Sequence, residues 1–302
     1  MYYICLDIGG TSVKTAVTDE KGNIFEQTSI SIPKTLYEFT KSIFEYIKTA
    51  NNKYSASGIA LSVPGSVDFR TGIIGGVSAI PYIHGPNWKK NLNTEFSLPV
   101  SIENDANCAA LSEIYFGKYN SVKDMAFFVC GSGVGGAVIK DGRIHHGKHL
   151  HGGEFGFMFL DISFSEKNRF RNLSELGSTQ ALVRKVKKIY PDKNLDGKMI
   201  FEEAENGDEN CLKAIDEFYS ALGAGIINVQ YIYDPEMIFI GGSISDNDYF
   251  IQGLTKKVNE IIDNLEQFYK IKPVIKAATF RKNANILGAL AHHLQEYNLI
   301  QI

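Results

Sequence analysis

The chain opens on an alternation of apolar and polar positions that predicts three strands, at about 2–8, 13–19 and 24–32. Lys21-Gly22-Asn23 lies between the last two and has turn chemistry, so these strands are expected to pair as a hairpin. The first turn, in LDIGGTSVKTAV, carries two glycines at its tip. Phosphate-binding glycine loops usually open a helix, whereas this one is predicted to join two strands.

Helical and strand periods alternate along the rest of the chain. One helix face is predicted from the spacing of Leu36, Phe39, Ile43 and Ile47. Further helices are predicted at about 106–116, 209–232, 248–268 and 284–296. Apolar strands are predicted at 58–63, 100–103, 237–242 and 273–280. This alternation is typical of an α/β protein.

One segment repeats the plan of another. FFVCGSGVGGAVIKDGRI (127–144) and YICLDIGGTSVKTAVTDEKGNI (3–24) share an apolar strand, a glycine-rich tip, an alternating strand and a charged turn. An internal repeat of this kind indicates two similar lobes, each with a phosphate-binding hairpin, and a ligand site in the cleft between them. Glycine-tipped hairpins are also common, so a chance similarity is the alternative.

Composition places the chain among ordinary globular proteins. It has 302 residues, 44% hydrophobic and 22% charged, with a net charge of -3, so nucleic acid and anionic membranes are not its expected partners. No apolar run reaches membrane-spanning length, and the first strand runs straight into Asp7 where a signal peptide would stand. Four scattered cysteines indicate reduced thiols and a cytoplasmic location: Cys5, Cys108, Cys130 and Cys211.

The first glycine tip has the chemistry of an anion site. Glycines let the backbone approach a ligand closely and adopt positive φ, while consecutive amides and the hydroxyls of Thr11 and Ser12 donate hydrogen bonds. Asp7 would repel a bare phosphate but suits a magnesium-bound water beside one, and Lys14 would reach phosphate if it turns inward. A plain hairpin is the alternative.

A second candidate is IENDANCAALSE, where a strand ends in Asn104-Asp105 and a helix begins. Asp and Asn are preferred helix N-caps, which is the structural interpretation. The end of a strand in an α/β sheet is also where ligands bind, and a carboxylate there would accept a proton from an alcohol.

Two glycine-containing stretches follow. In HLHGGEFGFM, Glu154 lies between glycines and aromatics, a setting suited to a sugar. His149 and His151 suggest a metal, but no further Cys or His lies near enough in sequence to complete a set. MIFIGGSIS after Asp234-Pro235 is either a nucleoside-facing turn or a plain strand-to-helix turn.

Six motifs in this order resemble the ROK family of sugar kinases: DIGGTSVK, VPGSVD, ENDANCAALSE, GSGVGGAVIKDG, GGEFG and DPEMIFIGGSIS. The resemblance extends over nearly the whole chain. It implies an α/β fold of duplicated actin-like, hexokinase-like (ribonuclease H-like) lobes with a cleft between them. The lobes are expected at 1–117 plus a C-terminal helix at about 284–302, and at 118–283.

The resemblance also implies an ATP-dependent transfer to a sugar hydroxyl, with Mg²⁺, and a homodimer. The implied nucleotide-binding residues are Asp7, Ile8, Gly9, Gly10, Thr11, Ser12, Lys14, Gly131, Ser132, Gly133, Gly135, Gly136, Gly241 and Gly242. The implied sugar-binding residues are Gly65, Asn104, Asp105, His151, Glu154 and Glu175, with Asp105 as the catalytic base.

Departures from the family pattern narrow the range of expected sugar substrates. Many members have a His three residues after the glutamate and then a zinc-binding cysteine cluster; here Phe157 replaces the His and 161–175 contains no Cys. We therefore expect no zinc. The variant GGEFGFM, together with ENDANC and the pair Gly75-Gly76, resembles the β-glucoside kinase branch. The enzymes of this branch phosphorylate the 6-hydroxyl of the non-reducing glucose of cellobiose and related sugars. N-acetylmannosamine kinase and glucokinase remain alternatives, as does a sugar-responsive repressor, although no helix-turn-helix segment precedes Asp7.

Overall fold

The computed structural model describes residues 1–163, 169–242, 244 and 247–299, which form two compact units. The first unit comprises Met1–Ser121, Gly142–His151 and Lys282–Ile302; the second comprises Val122–Asp141 and Gly152–Arg281. Each unit combines a β-sheet with packed helices. The predicted α/β class is therefore confirmed.

The described strands are, in chain order, β1 (Tyr2–Ile8), β2 (Ser12–Asp19), β3 (Ile24–Ser31), β4 (Gly58–Val63), β5 (Ser66–Asp68), β6 (Ile73–Gly75), β7 (Val100–Asn104), β8 (Met125–Cys130), β9 (Val134–Lys140), β10 (Arg143–Ile144), β11 (Phe159–Ser163), β12 (Arg169–Asn172), β13 (Met237–Gly241) and β14 (Ile275–Ala277). The described α-helices are α1 (Leu36–Tyr54), α2 (Trp88–Phe96), α3 (Asp105–Tyr115), α4 (Leu173–Gly177), α5 (Thr179–Ile189), α6 (Gly197–Glu205), α7 (Glu209–Tyr233), α8 (Asp248–Asn264) and α9 (Ala284–Glu296).

The sheet of the first unit has the order β3-β2-β1-β4-β7. β1, β2 and β3 form antiparallel hairpins, whereas β4 and β7 run parallel to β1. The carboxyl ends of the three parallel strands therefore lie at one edge, where Asp7 pairs with Ser62 and Ser62 pairs with Glu103. This register brings polar residues far apart in sequence to one level of the sheet.

Helices cover both faces of this sheet, because successive strand side chains point to opposite sides. On β1, Ile4 packs in one buried cluster with residues of α1 and α2, and Cys5 packs in another with residues of α9. Such two-sided burial explains the continuous apolar runs that the strands show in sequence.

The second unit repeats the same core arrangement. β8 and β9 form an antiparallel hairpin, β13 runs parallel to β8, and β14 runs parallel to β13. The order β9-β8-β13-β14 therefore matches β2-β1-β4-β7, so the internal repeat in the sequence reflects a repeated supersecondary unit. Its apolar core includes Phe128 from the sheet, Leu222 from α7 and Phe250 from α8.

Four of the described helices, α2, α4, α5 and α6, have no counterpart among the predicted elements. α2 buries only Trp88 and Leu92, and its start is fixed instead by the Asn87 side chain, which accepts a hydrogen bond from the amide of Lys90. β14 covers only Ile275–Ala277, a shorter strand than the predicted 273–280.

The four cysteines are free and buried, as the scattered pattern predicted. Burial is the main reason that the pKa of Cys5 is raised to about 12. No helix in the described ranges is long and apolar enough to cross a lipid bilayer.

His293 on α9 is a buried histidine held neutral by its surroundings. Its side chain is almost fully buried, and its Nδ1 lies 2.9 Å from the Ser101 hydroxyl. Burial is the main cause that lowers the pKa of His293 to about 4; the charge of His292 lowers it further and that of Glu296 opposes the shift.

We expect His293 to make the first unit acid-sensitive. Between its ordinary pKa of 6.5 and its folded value of about 4, only the unfolded chain binds the proton. The free energy of unfolding is therefore not reduced by this histidine above pH 6.5, and it falls by about 3 kcal/mol as the pH drops to 4. Urea unfolding followed by the fluorescence of Trp88, the single tryptophan, measures this loss. His293→Gln serves as the comparison and should show a correspondingly shallower dependence on pH; identical dependences would contradict the prediction.

Candidate active site

Asp7 lies near the end of β1 and is almost fully buried, at 5% exposure. Its Oδ1 accepts hydrogen bonds from the Ser62 hydroxyl at 3.1 Å and from Asn285 Nδ2 at 3.0 Å. Its Oδ2 is 3.4 Å from the ammonium of Lys14, which stands opposite it on β2. Three donors thus hold the carboxylate, and Lys14 does turn toward it.

The hairpin tip beyond Asp7 keeps several donors unused. The amide of Gly9 donates to the Ser12 carbonyl at 3.0 Å and closes the turn. The amides of Gly10 and Thr11 make no hydrogen bond with any described residue. Neither Gly9 nor Gly10 has a positive φ. These amides and the Thr11 hydroxyl can therefore receive an anion, whereas the side chain of Ile8 is buried in the core.

Gly65 follows β4 at the same edge of the sheet. Its φ is +100°, and a Cβ there would lie 2.7 Å from the Gly75 carbonyl oxygen, so only glycine fits without strain. Its carbonyl oxygen accepts a hydrogen bond from Asn104 Nδ2 at 3.1 Å. The structure therefore joins Gly65 directly to the end of β7.

Asn104 is the N-cap of α3, which confirms the helix-cap interpretation of Asn104-Asp105. Its Oδ1 accepts from the amides of Ala106 and Asn107, while its Nδ2 donates to Gly65 and to Asp105 Oδ1 at 3.0 Å. The amide group is thus engaged on both sides within the protein. This geometry gives Asn104 a direct part in orienting the neighbouring carboxylate.

Asp105 is the first residue of α3 and is partly exposed. Its Oδ1 accepts from Asn104 Nδ2 and from the amide of Ala106 at 2.9 Å. Its place in the first turn is favoured electrostatically, because the helix dipole stabilises negative charge there. The carboxylate is therefore held in a fixed orientation at the edge of the sheet.

Glu103 lies one residue earlier and has no exposed side-chain surface. The Nε2 of His146 lies 2.6 Å from its Oε2, and the ring nitrogen must be the donor because an ionised carboxylate only accepts. Burial alone would raise the pKa of Glu103, but the His146 hydrogen bond and the His292 charge outweigh it, so the pKa lies below its usual value.

His151 is exposed and contacts Ser66. Its Nδ1 lies 2.6 Å from the His149 carbonyl oxygen, which can only accept, so that nitrogen carries the proton. In the neutral ring, Nε2 then accepts from the Ser66 hydroxyl at 3.3 Å. The pair ties His151 to the residue after Gly65.

In the second unit, the tip Gly131-Ser132-Gly133 joins β8 to β9. Ser174 of α4 donates its hydroxyl to the Val134 carbonyl and accepts from the Val134 amide at 2.9 Å, while the Gly131 carbonyl accepts from the amide of Gln180. The exposed Ser132 hydroxyl makes no hydrogen bond with a described residue, so the braced tip leaves a donor free at its apex.

Other glycines assigned to the nucleotide are explained by packing. A Cβ on Gly136 would lie 2.4 Å from the Phe155 ring, and one on Gly241 would lie 2.8 Å from Phe127. Gly242 has a φ of +94° and sits against the Cys130 carbonyl. A Cβ on Gly135, in contrast, would meet only the Val129 side chain, at 4.0 Å, so packing does not require glycine there.

The two candidate glutamates of this unit differ. Glu175 closes a capping box at the start of α4, where its Oε2 accepts from the Asn172 amide at 3.3 Å and its own amide donates to the Asn172 side chain. Glu154 is partly buried, and its carboxylate has no hydrogen-bond donor in the described part of the chain. Glu154 is therefore the carboxylate with more capacity to bind a ligand.

Within residues 1–163, 169–242, 244 and 247–299, no group of three or more His, Cys, Asp or Glu side chains is arranged to hold a metal ion. The prediction of no zinc rests on the Cys-free segment 161–175, of which residues 164–168 lie outside the described ranges. The donor set fits a magnesium nucleotide, because the Asp7 carboxylate lies beside a hydroxyl, Lys14 and two amides that pair with no described residue.

Sequence reasoning missed the residues that hold the predicted ones in place. Ser62, Asn285, His146 and Ser174 act through contacts with partners 40 or more positions away in the chain. Glu103 lies within ENDANC, and a charged residue in an otherwise apolar strand was the one local signal.

Comparison with known proteins agrees with the resemblance that the sequence motifs indicate. The sequence profile of the ROK family matches residues 3–296. A β-glucoside kinase of Listeria monocytogenes is 33% identical over 99% of this chain and 99% of its own length. A crystal structure of a ROK family protein from Streptococcus pneumoniae in complex with sucrose is 41% identical, covers 99% of this chain and 100% of that one, and superposes with a TM-score of 0.92. An N-acetyl-D-glucosamine kinase of Histophilus somni is 28% identical over 96% of this chain and 98% of its own length.

We expect Gly65→Ala to destabilise the first unit by about 1–3 kcal/mol, because it adds a Cβ at positive φ against a carbonyl oxygen. Gly75→Ala is the matched control, since Gly75 has no positive φ and its Cβ would meet only ordinary contacts, starting at 3.4 Å. Urea unfolding followed by Trp88 fluorescence measures both. Equal losses would show that the Gly65 backbone is not specially constrained.

Proposed function

Because the chain belongs to the ROK family, we propose that it transfers the terminal phosphoryl group of ATP to the 6-hydroxyl of the non-reducing glucose of a β-glucoside such as cellobiose. At the coarser level the chain is an ATP-dependent carbohydrate kinase with the duplicated fold of ROK sugar kinases, as the sequence resemblance predicted. The finer proposal concerns which sugar is used and which residues act on it.

The geometry of Asp105 carries the proposal. Its carboxylate is partly exposed, while two donors, from Asn104 and Ala106, fix its Oδ1. We assign Asp105 as the base that accepts the proton of the attacking sugar hydroxyl. In phosphoryl transfer the reacting groups need chiefly to be positioned and their charge neutralised, so a carboxylate of fixed orientation is a suitable base.

The glycine tip of each unit is assigned to the triphosphate. In the first unit, the amides of Gly10 and Thr11 would donate to phosphate oxygens, and Lys14 would add a positive charge. In the second unit, Ser132 and the flanking glycines would likewise donate hydrogen bonds to phosphate oxygens. When bound, Mg²⁺ would neutralise phosphate charge, with Asp7 as the residue that holds it or its water.

The sugar is assigned to polar groups with remaining capacity. Glu154 offers an unengaged carboxylate to sugar hydroxyls, and Glu175 still has one carboxylate oxygen, Oε1, with no donor among described residues. Gly65 and Asn104 would shape the site beside Asp105, and His151 would present its ring edge.

A β-glucoside is favoured by the exposed aromatics that follow Glu154. Phe157, at the position where many family members have His, is 67% exposed. The ring centroids of Phe159 and Phe170 lie 5.5 Å apart, and these two residues are 63% and 49% exposed. Aromatic faces of this kind suit the apolar face of a second sugar ring. The similarity to a β-glucoside kinase supports the same choice. We further propose a cytoplasmic homodimer, since the co-substrate is ATP and the family resemblance implies a dimer.

Asp105→Asn should lower kcat by a factor of about 10² to 10⁴, because it removes the proton acceptor while keeping the shape of the side chain. Sugar affinity, measured by titration calorimetry, should fall much less. Asp192→Asn alters an exposed carboxylate and serves as the control. A loss of sugar affinity as large as the loss of kcat would assign Asp105 to binding.

A coupled assay of ADP release over glucose, N-acetylglucosamine, N-acetylmannosamine, cellobiose and gentiobiose tests the substrate. We expect kcat/KM to be at least about tenfold higher for the two β-glucosides, since contacts to the second ring are available only to them. Equal use of glucose would refute the β-glucoside preference and leave the kinase assignment intact.

A further inference from the structure

Glu103 links the strand and the helix between which Asp105 is held. Its Oε1 accepts from the backbone amide of Asn104 at 2.7 Å and from the side chain of Asn107 at 2.9 Å. One partner precedes Asp105 and the other lies in the first turn of α3. The buried carboxylate therefore fixes the backbone on both sides of the proposed base.

His146 completes the coordination of this carboxylate. Its Nε2 donates to Oε2 of Glu103 at 2.6 Å, and its ring stacks on Phe69 at 4.3 Å with an interplanar angle of 19°. The hydrogen bond to Glu103 and the stacking contact with Phe69 thus both restrain the ring. His146 lies on the segment Gly142–His151, far in sequence from the end of β7.

His292, the other histidine near Glu103, makes no hydrogen bond with it. His292 of α9 has its Nδ1 3.8 Å from Oε2 of Glu103, beyond hydrogen-bond distance, and pairs on its other side with Glu296 at 3.4 Å. Glu296 in turn forms an ion pair with Lys89 of α2. A buried carboxylate that loses a hydrogen-bond donor is strongly destabilised unless it moves or binds a proton.

We propose that Glu103 and His146 form a positioning pair, in which His146 holds the Glu103 carboxylate so that the carboxylate in turn holds the β7–α3 junction and the orientation of Asp105. This inference rests on the proposed role of Asp105 as base. Neither member of the pair need touch the sugar or the nucleotide. Their effect reaches the reaction through the backbone of Asn104 and the first turn of α3.

Two substitutions of His146 separate its hydrogen bond from its packing. His146→Phe keeps a ring to stack on Phe69 but removes the donor, whereas His146→Gln places an amide donor near the position of Nε2. His145→Phe makes the same change at the exposed neighbouring residue and is the matched control. Each variant is measured for kcat, for the KM of the sugar and for the thermal unfolding midpoint.

We expect His146→Phe to lower kcat by about ten- to a hundredfold, because small displacements of a reacting group have effects of this size. The KM of the sugar should change by less than about threefold, since binding groups stay in place. His146→Gln should recover most of kcat, and His145→Phe should match the unmodified protein. In an Asp105→Asn background, His146→Phe should cause no further loss, because the pair acts through Asp105.

Three results would overturn the proposal: unchanged kcat in His146→Phe, equal impairment of the Phe and Gln variants, or an undiminished effect in the Asp105→Asn background. If His146→Phe does not fold, Asn107→Ala applies the same test, since it removes the other link of Glu103 to α3. Activity that survives Asp105→Asn would refute the proposed base itself, whereas an inactive Asp105→Asn with a fully active His146→Phe would refute only the positioning pair.

Discussion

The hydrogen bonding of two carboxylates that the first sheet buries is the interaction on which the candidate site depends. Asp7 and Glu103 stand at the carboxyl ends of parallel strands, with Ser62 between them on β4. Both carboxylates are buried away from water, and a buried carboxylate without hydrogen-bond donors is strongly disfavoured. The protein therefore supplies donors to each, and those donors determine which segments must pack at this edge.

This requirement explains why distant parts of the chain belong to one unit. Asn285, at the start of α9, donates to Asp7, and His146 donates to Glu103. α9 also packs on the face of the sheet that carries Cys5, so one helix provides both apolar cover and a polar contact. The candidate base is thereby fixed through neighbours that are themselves fixed.

The second unit has the same strand order but uses different local chemistry. Its tip is braced by the Ser174 hydroxyl and the Gln180 amide, where the first tip has a buried carboxylate and a lysine. The partly buried Glu154 carboxylate has no described donor, in contrast to Asp7 and Glu103. The internal donors of Asp7 and Glu103 therefore maintain the architecture, whereas the Glu154 carboxylate keeps its bonding capacity for a ligand.

The sequence by itself determined the hairpins, the α/β class, the repeat and the residue types at the site, because strand and helix periods, turn residues and glycine tips are local signals. It also indicated both functions of Asn104-Asp105 at a strand end without deciding between them. Only the tertiary structure decided that Asn104, besides capping α3, donates to Gly65, and that Asn285 and His146 donate to buried carboxylates. Short elements such as α2 also escaped prediction, since two buried side chains give no period. The reason is physical: the hydrogen bonds of Asn285 and His146 join residues 278 and 43 positions apart in the chain, and they depend on strand register and helix packing, which leave no periodic trace in either local segment.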